Sequence, residues 1–135
     1  MFRDLLNFQG VNWWTLLGGL GLNFVITMLT SLFGAYLSSA ESTSGFYQQA
    51  GPPLMVLIIF LGCGLAGFVV AKIADDVPLK HALWSSLGAV VPFIFGAVLL
   101  FSPMQIMLAV VAVAGAFNGG IIGSPRPRYR PPRDR

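Results

Sequence analysis

The sequence predicts an all-α fold: an integral membrane four-helix bundle of two antiparallel hairpins, with both termini on the cytoplasmic side. Three observations predict it. Hydrophobic residues make up 56% of the chain and charged residues only 10%, far from the balance of a soluble domain. Four apolar runs are each long enough to cross about 30 Å of hydrocarbon as a helix. All eight Lys and Arg residues fall on one side of a four-span arrangement, the bias that marks the cytoplasmic side.

Residues 1–123 form the four-span domain and residues 124–135 a basic, proline-rich cytoplasmic tail. Met1 to Asn12 mixes Arg3, Asp4, Asn7 and Gln9 with apolar residues, a pattern suited to a short amphipathic segment along the membrane surface. The first span, about 13–36, is bracketed by Trp13, Trp14 and Tyr36, aromatic types that favour the headgroup zone. Ser38-Ser39-Ala40 after it gives the outline of a signal peptide. Signal cores run only about 7–15 residues, so this longer stretch is expected to stay as a span.

Ser38 to Gly51 reads as a polar external loop. The second span, about 53–73, opens at Gly51-Pro52-Pro53, since proline is tolerated in a first helical turn. Asp75 and Asp76 end it, and a turn with Pro78 leads to the third span, about 79–101. There Pro92 removes one backbone hydrogen bond and is the expected hinge, flanked by Gly88 and Gly96. Ser102-Pro103-Met104-Gln105 has the form of a capping box and opens the fourth span, about 103–122.

Small residues recur at helical spacing in the second and fourth spans, the pattern that permits close helix approach in lipid. Gly62, Ala66, Gly67 and Ala71 on one helix, and Ala112, Gly115, Ala116, Gly119 and Gly120 on the other, are the expected packing residues. The first span carries Asn23, Thr27, Thr30 and Ser31 at three- and four-residue steps, one polar face for interhelical hydrogen bonds or for the wall of a narrow path. Asn118 is expected nearer the cytoplasmic face than Asn23, so no bond between them is anticipated.

Lys72, Asp75, Asp76, Lys80 and His81 surround the turn between the second and third spans. They read as a solvated hairpin with snorkelling lysines, because one histidine beside two carboxylates lacks the spacing of a metal site. The lone Cys63 excludes an intrachain disulfide and reads as a small packing residue. In the tail, Arg126, Arg128, Arg130, Arg133 and Arg135 suit anionic headgroups or a partner that takes an extended proline-rich strand. Nucleic acid is not expected as a partner, since arginines without a folded reader give only nonspecific affinity.

No Asp, Glu, Lys, Arg or His lies in the middle of a span, which argues against proton-pump chemistry, and no catalytic constellation is present. No cofactor or metal is expected. The stretch from Gly62 to Asp76, followed by Pro78-Leu-Lys-His-Ala82 and Gly88, resembles small uncharacterised bacterial four-helix inner-membrane proteins. That resemblance implies topology and a bacterial inner-membrane setting, and no site residues. The expectation is a non-enzymatic protein that partners membrane lipids and either other membrane subunits or itself. A small-solute or ion pore lined by the first span is the alternative.

Overall fold

A computed structural model of the chain describes residues 2–40 and 44–125. Six helices follow in order: α1 (Phe2–Leu5), α2 (Trp13–Ser39), α3 (Ser44–Ile73), α4 (Pro78–Ser85), α5 (Leu87–Leu100) and α6 (Pro103–Gly123). Among the described residues, four stretches are long and apolar enough to cross a membrane: Trp13–Ser39, Gly45–Ile73, Pro78–Leu100 and Pro103–Gly123. The chain is therefore an all-α, multi-pass membrane protein, with α4 and α5 together making the third span.

Local chemistry sets the helix ends. Asn12 caps α2, its Oδ1 accepting from the backbone N–H of Trp14 at 3.0 Å and Thr15 at 3.4 Å. The external loop is shorter than the sequence suggests, because α3 starts at Ser44 and carries Pro52 and Pro53 inside it. Each proline removes a hydrogen bond to the carbonyl four residues earlier, here those of Gln48 and Gln49. Both residues are exposed, so water can take those bonds. Gly51 also leaves room for the Tyr47 ring, whose carbons lie 2.7–2.9 Å from where a Cβ would stand. At 30 residues, α3 is about 45 Å long, and its first turns overshoot a hydrocarbon layer of about 30 Å.

The third span is interrupted at Ser86, between α4 and α5, whereas Pro92 lies inside α5. Ser85 Oγ donates to the Ala82 carbonyl at 2.9 Å and Ser86 Oγ to that of Leu83 at 2.6 Å. The Ser86 N–H also reaches back three residues, to Leu83 at 3.2 Å. Such hydroxyl back-bonding competes with the helical ladder and bends helices. Phe101 closes α5 in the left-handed region at φ 47°. Ser102 precedes α6 in extended conformation with Pro103 next, but its side chain makes no capping bond. The expected capping box does not form: the Gln105 side chain turns toward Gly96 instead.

The helices form a ring in which α2 neighbours α3, α3 neighbours α6, α6 neighbours α4 and α5, and these neighbour α2, while α4 also packs against α3. A Cβ on Gly115 would strike the Phe60 carbonyl, one on Gly119 the Gly64 carbonyl, and one on Gly123 the Phe68 carbonyl at 2.6 Å. Residue numbers thus rise together along α3 and α6, in four-residue steps. Against α2 they run opposite ways, Gly62 meeting Ile26 and Gly34 meeting Met55. Between the helices Ile59, Cys63, Ala89, Phe93 and Ala112 fill the centre. Dispersion between close surfaces holds such a core, since lipid tails are as apolar as the side chains.

The glycine contacts give the first test. Gly119→Ala forces α3 and α6 apart and is expected to cost about 1–3 kcal/mol, as overpacking does. Gly21→Ala, where nothing lies within 4 Å, should leave stability unchanged or raise it by up to about 1 kcal/mol, since alanine is the better helix former. Thermal unfolding in detergent separates the two variants.

Candidate functional site

Two polar assemblies occupy the end of the bundle that carries α1, α4 and the close of α3. The first is a buried seam between α2 and α4. Asn23 is 0% exposed, and its Nδ2 donates to the Gly19 carbonyl at 3.0 Å and to Ser85 Oγ on α4 at 3.3 Å. Gly19 permits this approach, for a Cβ there would lie 2.7 Å from that of Ser85. Asn23 Oδ1 has no hydrogen-bond partner among the described residues. Thr27 and Thr30 donate to the carbonyls of Asn23 and Ile26 at 2.9 and 2.8 Å, so their donors serve their own helix.

Thr30 and Ser31 border a cavity of about 140 Å³ at the far end of this face, together with Gly34, Tyr47 and Gln105. Asn23 and Thr27 are not among the residues that line it. The four residues of the expected polar face therefore divide between a closed seam and a separate small pocket.

The second assembly is a strap. Residues 5–12 cross the start of α4 and are held there by three of its side chains. Trp84 Nε1 donates to the Leu5 carbonyl at 2.9 Å, Lys80 Nζ to the Gln9 carbonyl at 3.1 Å, and the Asn12 N–H to His81 Nε2 at 2.8 Å. His81 Nδ1 lies 3.1 Å from the Val77 carbonyl. Since Nε2 accepts, Nδ1 carries the proton and donates, a single tautomer that suits both bonds. Phe8 adds ring contacts with Trp13 and Trp84 at centroid distances of 5.8 and 4.6 Å. Gly10, at φ 78°, supplies the left-handed turn within the strap.

This corrects the reading of the turn as a solvated hairpin. Lys72, Asp75 and Asp76 are exposed, but Lys80 is 8% and His81 1% exposed. The strap removes them from solvent, and nothing in the local sequence around His81 reveals a partner 69 positions away. Lys72 instead lies over the Phe68 ring, 5.6 Å from its centroid.

Among the expected packing residues, Gly67, Gly115 and Gly119 lie at the α3–α6 contact, Gly67 against the Ala116 carbonyl. Gly120 faces Ala82 and Leu79 of α4, and Gly62 faces Ile26 of α2. Ala66, Ala71, Ala112 and Ala116 are buried. Gly64 and Gly88, which the sequence did not mark as packing residues, join close contacts, Gly88 against the Leu20 carbonyl. Gly64 was legible, standing three residues before Gly67 on the same helical face. Arg126, Arg128, Arg130, Arg133 and Arg135, with the loop residues Glu41 to Thr43, lie outside the described residues.

His81→Phe keeps an aromatic ring, a somewhat larger one, and removes the acceptor, leaving the Asn12 N–H without its partner at a cost of about 1–3 kcal/mol. Amide exchange at Asn12 should quicken, while His81→Gln, which restores an acceptor, should keep its protection. Equal exchange in both variants would mean that His81 does not hold the strap. Compared with known proteins, the chain matches no family model, no curated protein and no solved structure.

Proposed function

We propose that the protein is a non-enzymatic membrane component that acts through helix packing, as an accessory or structural subunit of a larger complex or as its own oligomer. One observation carries this reading: a buried asparagine and a row of glycines within the spans are engaged in joining helices. Asn23 links α2 to α4, and Gly115, Gly119 and Gly123 seat α6 on α3. A pore along α2 has less support, because Asn23 and Thr27 are 0% and 1% exposed and the Thr27 hydroxyl is bonded within its own helix.

The setting in this proposal is a bacterial inner membrane with both termini cytoplasmic. Arg3 lies in α1 and Lys72 in the last turn of α3, while Lys80 is bonded to the strap. All three belong to one end of the bundle. The tail arginines follow α6, whose Gly120 meets Ala82 near that end. Positive charge of this kind is retained on the cytoplasmic side, where the tail can also meet anionic headgroups.

Two measurements test the proposal. Alkaline phosphatase fused after Ser124 should be inactive and after Ala40 active; the reverse pattern would invert the orientation. Affinity purification in mild detergent with mass spectrometry should recover a stoichiometric partner or a homo-oligomer. A solitary monomer under those conditions would overturn the packing role.

A further inference from the structure

The outer surface of a membrane bundle faces acyl chains, which offer no hydrogen-bond partner. Asn118 is exposed on that surface. Its Nδ2 donates to the Ala114 carbonyl at 2.8 Å, which leaves Oδ1 and the second N–H without a partner among the described residues. The residue lies more than a turn inside the end of α6 at Gly123. The contacts of its neighbours fix its depth: Gly119 abuts Gly64, and Gly120 abuts Ala82, close to the Ser85 that Asn23 reaches. Asn118 is thus level with Asn23 and within the span.

It also borders an almost wholly apolar groove of about 320 Å³ between α3 and α6, with its carboxamide at the rim. Phe60, Leu65 and Phe68 form one wall, Asn118 and Ile122 the other, and Gly64 part of the floor. Leu65 and Ile122 are 67% and 73% exposed, so the groove opens outward. A partner must bring apolar surface together with a donor and an acceptor at this depth.

Building on the packing role, we infer that this groove is a self-association face, on which a second copy lays the same face about a two-fold axis along the membrane normal. The two Asn118 carboxamides then pair reciprocally. A carboxamide is its own complement, each offering one N–H and one oxygen. A copy inserted in the same orientation presents that group at the same depth without further adjustment, and a two-fold contact uses the identical patch on both chains. Asparagine side chains are known to join helices in lipid by such bonds.

The test uses the full chain in liposomes. In a Cys63→Ser background, which removes the only cysteine, single cysteines are placed at Ile122, beside the groove, or at Val91 on α5. Val91 is 64% exposed, and it borders the α2–α5 side, opposite the groove in the ring. Oxidation should trap dimers from Ile122→Cys and not from Val91→Cys. Energy transfer between terminally tagged chains, which needs no cysteine change, should show Asn118→Leu weakening association about tenfold and Asn118→Gln preserving it. Equal trapping at both positions, or association unchanged by Asn118→Leu, would overturn the inference. In native membranes, a photo-cross-link from position 122 to a different protein alone would overturn the second copy and leave the packing role standing. No cross-link from any outward position would overturn both.

Discussion

Between α3 and α6, backbone meets backbone, and the remaining helices are arranged around that contact. A position where a Cβ would strike a carbonyl is one where glycine directs a Cα hydrogen at the oxygen. Gly115, Gly119 and Gly123 do this in succession toward Phe60, Gly64 and Phe68, and Gly67 does it in reverse toward Ala116. Cα–H···O contacts of this kind contribute about 0.5–1 kcal/mol each. The close approach adds dispersion over the whole seam, which matters where no hydrophobic force draws helices together. Because the repeat is four residues on both helices, the register is fixed: a slip by one position would bring side chains against carbonyls.

That seam has consequences for its neighbours. With α6 held against α3, Gly120 receives Ala82 and Leu79 of α4, while on α2 Gly19 receives Ser85 and Val70. The start of the third span is thereby pinned from two sides. Its outward residues Lys80, His81 and Trp84 are then placed to catch the chain before α2. The strap accounts for the burial of the lysine and the histidine: each bonds backbone groups of residues 9–12 or of its own turn, as buried polar groups require.

Much of this was legible in the sequence, and the misses share a cause. Span existence follows from hydropathy alone, and small residues at helical spacing announce where helices come close. Boundaries set by a proline pair were misplaced, because the rule that prolines open helices competes with a helix whose extra turns project into water. Pro92, the expected kink, lies inside α5, while the interruption at Ser86 is marked by the hydroxyls of Ser85 and Ser86, a weaker signal that depends on how those side chains bond. The capping box failed because Gln105 finds a place beside Gly96. Contacts between residues distant in sequence, such as Asn12 with His81, leave no local signature.

The two asparagines show what periodicity can and cannot decide. No bond between them was expected and none forms; α2 and α6 are not neighbours in the ring. Asn23 falls on the same face as Gly19, Thr27 and Thr30 and is drawn inside, where Ser85 meets it. Asn118 lies one step off the row of Gly115 and Gly119, and a step of about 100° around the helix turns it outward. Each buried hydroxyl, on Thr27, Thr30, Ser85 and Ser86, donates to its own helix, so the interior has little hydrogen-bonding capacity left beyond Asn23 Oδ1. In a span whose polar groups are scarce, the outward carboxamide is where that capacity reaches the surface, pointing away from the bundle rather than into it.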